Sequence, residues 1–411
     1  MARFEGALAI ATARAGFFPQ PVANAIAQAC GRATFNIAAL AHEARNAGTL
    51  AIPFVAALRA QVPAEAARYV HFGATSQDAM DTAAALCMKQ AAERITALAV
   101  ELGDSAAALA RRHANTPMLA RTLLQPAAPV PFGWKCAMWL APLARALPHW
   151  RAAVEEGCVL QFGGAAGTLS AFRDKGPAIA EILAKDLGLK DPVTWHSARD
   201  GFARLGSELA ILTGIAAKIA RDVTLLMQPE VGEVAEPSGT GRGGSSSMPH
   251  KRNPSGSLLA LEAAQRAPGL AATLFAELLP EHERGLGQWQ NQWSTLRALA
   301  LGASSALGAM AYVLKGLELD AAAMQANIDE TGGLVFSEAV ALRLSRALAD
   351  RLCAQALHEK KDLREVMRSD AEVGARMKPE EIDALFDANK SFGAAEVMLE
   401  RVLADWQANC A

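Results

Sequence analysis

The sequence predicts an all-α protein, and three observations support this fold class. Its 411 residues are rich in Ala, Leu, Glu and Arg, which favour helices. Tyr occurs only twice, and Val, Ile and Thr almost never alternate with polar residues as they do in half-buried strands. Several long apolar segments end shortly before a proline, which cannot continue a helix.

Three segments have the length and composition of long helices: 78–114, 132–157 and 204–227. The first ends before Pro117 and the third before Pro229, whereas the second keeps two prolines inside it. A shorter apolar run, 7–13, is framed by Glu5 and Arg14 and predicts an amphipathic N-terminal helix instead of a leader peptide. Long helices with short connections are typical of a bundle.

Breaks rich in Gly and Pro divide the chain into three predicted domains. An N-terminal helical domain, 1–113, precedes a central long-helix domain, 114–346, and a small, more charged helical domain, 347–411. The long helices carry more apolar surface than one bundle needs, which favours an assembly of several copies.

The charge balance and the cysteines exclude several classes of protein. A net charge of −2 gives no electrostatic basis for binding nucleic acid or a membrane surface. The six cysteines are scattered without a C-x-x-C pair, which argues against a zinc site or a disulfide framework and for a reducing compartment. The uncharged run 298–314 is shorter than the roughly 20 residues that span a bilayer. We therefore expect a soluble cytoplasmic protein.

The most informative segment runs from Gly243 to Pro254, with the sequence GGSSSMPHKRNP. Gly and Ser cannot form a core, so the composition predicts a loop. Its three hydroxyls, two cations and carboxamide would suit closure over an anion. The segment resembles the signature Ser-Ser-x-Met-Pro-x-Lys-x-Asn of the fumarase/aspartase superfamily, residue for residue.

That resemblance implies an addition–elimination enzyme that needs no cofactor and no metal. It implies that Ser245 moves the proton and that Lys251 activates it. A serine hydroxyl is a poor base near neutral pH, so Lys251 and loop N–H groups would have to stabilise the alkoxide. The resemblance also places Ser246, Met248 and Asn253 against the substrate.

A second polar segment, His71 to Asp78, precedes the first long helix. Thr75 and Ser76 would cap that helix in the simplest interpretation. The functional alternative is an anion site, because a helix N-terminus offers free N–H groups and positive potential. The segment resembles the first signature of the superfamily, whose Thr-Ser pair holds a substrate carboxylate, and this implies that His71, Thr75 and Ser76 bind substrate.

A third segment, Arg121 to Pro126, departs from most of the superfamily. Arg121, Thr122 and Gln125 keep the pattern of the substrate-binding segment, but Leu123 stands where many relatives carry a His. Its usual Glu partner is replaced by Leu258. A general acid matters most when the leaving group is poor, whereas a carboxylate leaves readily because its pKa is about 4. The departure therefore favours a reaction in which a carboxylate leaves or attacks.

Three further segments resemble the 3-carboxy-cis,cis-muconate cycloisomerase family within the superfamily. They are the Gly-rich run 161–168, the run 195–200, and Glu281-His282-Glu283-Arg284 with its two following tryptophans. The resemblance implies that His282 and Arg284 bind substrate. Arg199 is either a carboxylate clamp or one half of an ion pair with Asp200 or Asp222.

Two apparent cofactor motifs fail on context. Residues 239–244 satisfy G-x-G-x-x-G, but no strand precedes them and no βαβ unit surrounds them, so no nucleotide cofactor is expected. His71, Asp78 and Asp81 could suggest a metal site, but no other residue supplies a further ligand at a recognisable spacing. No metal is therefore expected.

These expectations combine into one functional hypothesis and two alternatives. The family resemblance implies a homotetramer with shared sites that lactonises the tricarboxylate 3-carboxy-cis,cis-muconate to 4-carboxymuconolactone. The first alternative is another lyase of the superfamily, such as one acting on adenylosuccinate. The second is a catalytically silent structural homologue, like the lens crystallins of the superfamily.

Overall fold

A computed structural model describes residues 1–191, 193–239, 241–248 and 250–410. Over these residues the chain forms eighteen α-helices, three short 3₁₀ helices and two small two-stranded sheets. The predicted all-α class is therefore confirmed. Thr240 and Pro249, which belong to two of the motifs above, lie outside the described residues.

The α-helices, numbered in chain order, are α1 (Ala2–Arg14), α2 (Gln20–Arg32), α3 (Ile37–Ala47), α4 (Ala51–Arg59), α5 (Ala64–Ala67), α6 (Ser76–Arg112), α7 (Phe132–Gly157), α8 (Gly176–Leu187), α9 (Asp200–Leu226), α10 (Ser255–Ala276), α11 (Gln288–Lys315), α12 (Ala321–Asp329), α13 (Ser337–Arg343), α14 (Arg346–Glu359), α15 (Leu363–Ser369), α16 (Ala371–Gly374), α17 (Pro379–Leu385) and α18 (Ala395–Cys410). The 3₁₀ helices are Ser170–Lys175, Leu334–Phe336 and Ala388–Ser391.

The three long helices whose spans the sequence predicts are present as α6, α7 and α9. Helix α7 has the predicted bounds and keeps Pro142 and Pro148 inside it. Helices α6 and α9 begin two to four residues earlier than expected. Helix α6 carries Asp78 in its first turn and two arginines in its last, which complements the helix dipole. The amphipathic N-terminal helix is α1.

The sequence did not predict the hairpin that connects α6 to α7. Strands β1 (Pro117–Thr122) and β2 (Gln125–Pro131) pair antiparallel, with Thr122 opposite Gln125. Prolines normally argue against strands, and β2 contains three of them. A two-stranded sheet has only edges, however, and edge strands tolerate prolines because the missing N–H faces away from the partner. Two further residue pairs form the short strands β3 (Val234–Ala235) and β4 (Glu318–Leu319).

The chain separates into two compact units that differ from the predicted domains. The first unit contains residues 1–96, 149–211 and 266–303, and the second contains residues 97–148, 212–265 and 304–411. The boundaries fall inside the five longest helices (α6, α7, α9, α10 and α11), so each of these helices contributes to both units. The division into three consecutive domains stays a prediction.

Each unit has its own apolar core. In the first unit, Phe172 is fully buried and packs against Phe17, Phe72 and Phe162 at ring-centroid distances of 5.4 to 5.8 Å. This aromatic cluster lies under the predicted anion-binding segment. In the second unit, a core built around Phe336, Leu352 and Met367 joins the C-terminal helices.

One helix of the described residues, α11, is long and apolar enough to cross a membrane by length and composition alone. In the structure 44% of its most apolar stretch is buried. Core helices of globular proteins pass the same test. Buried Leu299 and Ala303 in the first unit and Leu307 and Met310 in the second give α11 the pattern of such a helix.

Candidate active site

In the first unit, the buried carboxylate of Asp78 ties the start of α6 to the Gly-rich run 161–168. It accepts the backbone N–H groups of Thr75 at 3.0 Å and of Gly163 and Gly164 at 2.9 Å each. The Gln161 side chain donates a further hydrogen bond at 3.1 Å. A buried carboxylate is stable when its oxygens accept this many donors. Asp78 therefore holds two of the predicted motifs in a fixed relation.

Two glycines allow these segments to approach so closely. Gly73 has a φ of 69°, and a Cβ atom there would lie 2.2 Å from the ring of Phe172. Gly164 also has a φ of 69°, and a Cβ atom there would lie 3.0 Å from the carbonyl oxygen of Gly73. A larger residue at Gly73 would displace the Phe172 ring, and one at Gly164 would push the Gly-rich run away from the segment before α6.

Arg284 places an uncompensated positive charge beside the start of α6. Its guanidinium donates to Gln77 Oε1 at 2.8 Å, Thr75 Oγ1 at 3.2 Å and the carbonyl oxygen of Ala165 at 3.3 Å. All three acceptors are neutral, and among the described residues no carboxylate forms an ion pair with it. A cation without a counter-ion next to a helix N-terminus is a site that attracts an anion.

The loop that carries His282 and Arg284 is held by the exposed side chain of Glu281. Its carboxylate accepts the Leu286 N–H at 3.0 Å and the Gln288 amide at 3.1 Å. These hydrogen bonds, the backbone bond first, hold the pKa of Glu281 below its usual value. His282 is exposed on the same loop and has a left-handed φ of 49°.

His71 forms a short contact with a buried partner. Its Nδ1 lies 2.6 Å from Oε1 of Glu5, a residue that is only 1% exposed. The backbone of His71 is left-handed, with a φ of 62°, a conformation that residues with side chains seldom adopt. The fold therefore fixes both the backbone and one ring nitrogen of this histidine.

Arg199 is buried in a network of its own within the first unit. The guanidinium binds Asp81 with its two Nη atoms, at 2.6 and 3.3 Å, and donates from Nε to Gln292 Oε1 at 2.9 Å. It also stacks over the Trp195 ring at 4.5 Å, and Trp289 donates its indole N–H to Asp81 at 2.9 Å. The contacts are those of the ion-pair alternative, with Asp81 as partner instead of Asp200 or Asp222. A direct contact between Arg199 and substrate stays a prediction.

In the second unit, the loop before α10 holds Ser245 by its hydroxyl oxygen. Ser245 Oγ accepts the backbone N–H of Met248 at 3.1 Å and that of Ser247 at 3.4 Å. The Ser245 side chain is half-buried, whereas Ser246 to Met248 are exposed. Two N–H groups aimed at one oxygen form an arrangement that stabilises negative charge on it.

Asn253 closes the neck of this loop. Its backbone N–H donates to the Gly243 carbonyl at 2.7 Å, and its side-chain amide donates to the Gly244 carbonyl at 3.2 Å. Gly243 has a φ of 65°, and a Cβ atom there would lie 2.7 Å from the Asn253 carbonyl oxygen. The contacts of Asn253 are thus made to the loop itself, and its predicted substrate contact stays a prediction.

Two acidic residues anchor the end of the loop that leads into α10. Buried Glu236 accepts the N–H groups of Gly256 and Ser257 at 2.9 and 2.8 Å and so caps α10. Exposed Glu318 forms a bidentate ion pair with Arg252 at 2.9 and 3.0 Å. The hydrogen bond between them lowers the pKa of Glu318 and raises that of Arg252.

Lys251 lines a small cavity beside these anchors. The cavity has a volume of about 160 Å³, and its lining also includes Arg242, Gly244 and Asn253. Lys251 is exposed and has no ion-pair partner in the described part of the chain. Its ammonium group is therefore free to interact with a ligand in this cavity.

The hairpin segment in the second unit presents apolar residues at its tip. Leu123 and Leu124 form the two-residue turn with φ of 53° and 64°, and Leu123 is 97% exposed. A left-handed backbone costs about 1–2 kcal/mol per residue that carries a side chain. Arg121 binds buried Glu233 through both Nη atoms at 2.7 and 3.1 Å. Thr122 and Gln125 flank the turn as an opposed pair, and their contacts with substrate, like that of Arg121, stay predictions.

The structure thus brings Thr75, Arg284 and the Gly-rich run together in the first unit, and Ser245, Lys251 and Asn253 together in the second. Sequence reasoning missed the buried acids that organise these groups: Glu5, Asp78, Asp81, Glu233 and Glu236. Only Asp78 lay within a quoted motif and could have been identified as a cap from its position three residues after Thr75. The partners of the other four are distant in sequence.

Comparison with known proteins gives the class to which these sites belong. Residues 1–269 match a family model described as "Lyase", and residues 333–402 match one described as "Adenylosuccinate lyase C-terminus". The chain belongs to this lyase family, and the predicted membership of the fumarase/aspartase superfamily is confirmed.

Individual relatives show which enzymes of the family are similar to this chain. A 3-carboxy-cis,cis-muconate cycloisomerase of Bradyrhizobium diazoefficiens is 49% identical over 415 residues, covering 98% of this chain and 92% of the relative. The enzyme of the same name from Pseudomonas aeruginosa is 43% identical and covers 99% and 92%. The crystal structure of the 3-carboxy-cis,cis-muconate lactonizing enzyme from Pseudomonas putida matches with a TM-score of 0.93 at 41% identity, covering 100% of this chain and 94% of that one.

Proposed function

We propose that this protein is a cycloisomerase that converts 3-carboxy-cis,cis-muconate to 4-carboxymuconolactone. The full-length similarity to enzymes of that name supports the reaction. The observation that carries the mechanism is the pair of N–H groups directed at Ser245 Oγ.

The reaction forms one C–O bond, consumes one C=C π bond and takes up one proton. A carboxylate of the substrate attacks the alkene carbon within reach, and negative charge develops on the adjacent carbon and spreads into another carboxylate. The Ser245 hydroxyl donates its proton to that carbon. The N–H groups of Ser247 and Met248 stabilise the resulting alkoxide together with Lys251. Water then restores the serine proton.

The anion site at the start of α6 would hold a substrate carboxylate. Arg284, Thr75 and the helix N-terminus supply a cation, a hydroxyl and partial positive charge, and His71 lies in the same segment. A trianionic substrate needs several such groups because each carboxylate loses water on entry. Ser76, Arg121, Thr122, Gln125, Arg199, Ser246, Met248, Asn253 and His282 are proposed as further contacts from the family pattern.

Leu123 and Leu258 stand where many members of the superfamily carry a His and its Glu partner. Their apolar side chains agree with a carboxylate as the attacking or leaving group. Leu123 is 97% exposed and Leu258 is 60% exposed in the single chain, so both could reach a ligand or another copy. Neither can transfer a proton. Because the pKa of a carboxylate is about 4, the attacking or leaving carboxylate needs no general acid of its own, and Ser245 supplies the proton only to carbon.

The proposed active form is a cytoplasmic homotetramer in which several subunits complete each site. Large apolar side chains are exposed on three long helices of the single chain, including Ile211 on α9, Leu259 and Phe275 on α10, and Leu301 on α11. Exposed apolar surface of this kind is what an oligomer buries. All six cysteines are free, which agrees with a reducing compartment.

An absorbance assay tests the proposal directly. Purified protein is mixed with 3-carboxy-cis,cis-muconate, and the loss of the conjugated diene is followed while lactone is identified as product. Turnover by the natural protein, reduced at least about 10²- to 10⁴-fold in Ser245→Ala, is the expected result. Exposed Ser369 ends α15 in the C-terminal helices, and Ser369→Ala serves as the control that should keep its activity.

Two other outcomes would overturn parts of the proposal. Cleavage of adenylosuccinate without any loss of the diene would assign the chain to the lyase alternative. Full activity of Ser245→Ala would keep the reaction but remove the serine from the proton transfer.

A further inference from the structure

We infer that Glu5 is a positioning residue for His71, and that it supplies the negative charge that lets His71 bind a substrate carboxylate through Nε2. The inference rests on the proposed function, because it gives the anion site at the start of α6 a carboxylate as ligand. It concerns a residue of α1 that none of the motifs contains.

The geometry assigns the ring nitrogens. Glu5 Oε1 lies 2.6 Å from His71 Nδ1, within the range of a charge-assisted hydrogen bond. With Glu5 ionised, its carboxylate only accepts hydrogen bonds, and Nδ1 then carries the hydrogen. The bond at one imidazole nitrogen sets the role of the other. Nε2 is therefore the nitrogen that remains for a ligand.

Glu5 has few other partners for its charge. The residue is only 1% exposed, and its neighbours on α1, Phe4 and Leu8, belong to the apolar core of the first unit. Its second oxygen, Oε2, is buried and has no hydrogen-bond partner in the described residues. A buried carboxylate with one orphaned oxygen is costly unless a cation compensates it. His71 contacts this carboxylate and can carry a positive charge when its ring is protonated.

The remaining titratable groups near Glu5 do not take this role. Burial, followed by the charge of Glu5, raises the pKa of the Cys30 thiol on α2 to about 12, so that thiol is neutral. The α-amino group of Met1 interacts with Glu5 electrostatically, but burial lowers its pKa, which weakens it as a counter-ion. Neither group forms an ion pair with Glu5 within 4.0 Å in the described chain.

The arrangement has a direct chemical consequence. When a substrate carboxylate approaches Nε2, an imidazolium between two carboxylates donates one hydrogen bond to each. Glu5 thus turns His71 from a neutral ring, whose Nε2 would accept, into a donor aimed at the ligand. The contact between Nδ1 and buried Glu5 holds the ring in place for that donor.

Two substitutions separate the charge of Glu5 from its hydrogen bond. Glu5→Gln keeps an acceptor of the same size but removes the charge, and Glu5→Leu removes both. Thr12→Val is the matched control, because Thr12 is also fully buried on α1 and its hydroxyl oxygen has no hydrogen-bond partner in the described residues. Thermal unfolding and circular dichroism would establish that each variant is folded before it is compared.

The first readout does not depend on catalysis. The ¹⁵N shifts of His71, assigned with His71→Gln, are recorded with and without propane-1,2,3-tricarboxylate as an unreactive probe. We expect the natural protein and Thr12→Val to show hydrogen on both ring nitrogens when the probe is bound. In Glu5→Gln only one nitrogen should carry hydrogen, and the dissociation constant of the probe should rise about 10- to 100-fold, the loss expected for one hydrogen bond to a charged group.

Kinetics supply the second readout. Glu5→Gln should raise KM by a similar factor and change kcat much less. The reason is that the chemical step is carried out by Ser245 and Lys251 in the loop before α10, which we call the serine loop. Unchanged ¹⁵N shifts and unchanged probe affinity in a folded Glu5→Gln protein would overturn the inference. If the natural protein binds the probe with the expected shifts but does not turn over 3-carboxy-cis,cis-muconate, the proposed function fails while the role of Glu5 stands.

Discussion

The anion site at the start of α6 and the serine loop before α10 are built in different ways. Around Thr75, the polar groups are held by a buried carboxylate, Asp78, which accepts hydrogen bonds from two segments distant in sequence. Around Ser245, most hydrogen bonds are made within an exposed loop whose anchors lie at its ends. The first region is preorganised by the core, whereas the second is a loop tethered at its base.

This difference fits a division of labour. A preorganised anion site loses little entropy when it binds a carboxylate, because its donors are already in position. A loop tethered only at its base can close over a bound ligand, exclude water and complete the catalytic group. Substitutions in the anion site should therefore act mainly on KM, and substitutions in the loop mainly on kcat.

After Ser245→Ala, the largest expected effect is that of Lys251→Met. Its ammonium group has no ion-pair partner among the described residues, so its removal leaves no buried charge behind and should not alter stability. Loss of one group that stabilises the transition-state charge lowers kcat by about 10²- to 10³-fold, with a smaller change in KM. Steady-state kinetics measure both constants.

Lys315→Met is the control for this substitution. Lys315 is an exposed lysine at the end of α11, and its only ion pair among the described residues is a long contact of 3.9 Å with Glu101. It should leave both constants unchanged. A rise in KM alone for Lys251→Met would contradict the comparison and make Lys251 a ground-state anchor.

Arg284→Met tests the other side of the comparison. The substitution removes the uncompensated cation of the anion site while Gln77 and Thr75 can bind water instead. A charged hydrogen bond contributes about 1.5–3 kcal/mol, so we expect KM to rise about 10- to 100-fold and kcat to change several-fold at most. Arg297→Met, at an exposed arginine on α11, should change neither.

The result that would break the division of labour is a fall in kcat without a change in KM for Arg284→Met. Arg284 would then act in the transition state, and the start of α6 would be part of the catalytic group. Binding of propane-1,2,3-tricarboxylate, measured by calorimetry, would distinguish this case because the affinity would remain that of the natural protein.

The two regions also differ in how far the sequence predicts them. The serine loop is contiguous, so the motif from Gly243 to Asn253 contains the residues that contact one another, and the hydrogen bonds to Ser245 follow from local chain geometry. The anion site depends on Asp78, Gly163 and Arg284, whose proximity is produced by the tertiary fold. The motifs predicted their presence but not their contacts.

Buried ion pairs were the features that sequence reasoning handled least well. From the sequence, Arg199 had two possible partners, Asp200 and Asp222. Its partner in the structure is Asp81, 118 residues away. Arg121 pairs with Glu233 across 112 residues. The hairpin that carries Arg121 was also missed, because its prolines oppose strands in general but not in a two-stranded sheet. The three long helices α6, α7 and α9, in contrast, were predicted to within a few residues because the composition and the proline stops that indicate them are local.

The smallest expected effect concerns the Arg252–Glu318 ion pair, which tethers the end of the serine loop. Glu318→Gln is the substitution that tests it. The Arg252–Glu318 pair is exposed, so its loss should lower the free energy of unfolding by less than about 1 kcal/mol at neutral pH. Arg252 lowers the pKa of Glu318 in the folded protein, so the pair stabilises the protein above the ordinary pKa of a glutamate, about 4.3. The stabilisation disappears as the pH falls through the lower, folded-state value. Chemical denaturation of both proteins from pH 7 to pH 3 should therefore show a difference that shrinks below about pH 4.

Asp383→Asn separates the tether from a general loss of one surface ion pair. The Arg368–Asp383 pair is as exposed as the Arg252–Glu318 pair and belongs to the C-terminal helices. Both substitutions should cost similar, small amounts of stability. Only Glu318→Gln should also lower kcat, by about twofold to tenfold, because only it loosens the segment that positions Lys251 and Ser245. Equal kcat values in the two variants would mean that the ion pair is not needed to hold the serine loop. The Glu236 cap of α10 and the hydrogen bonds of Asn253 within the loop would then be sufficient.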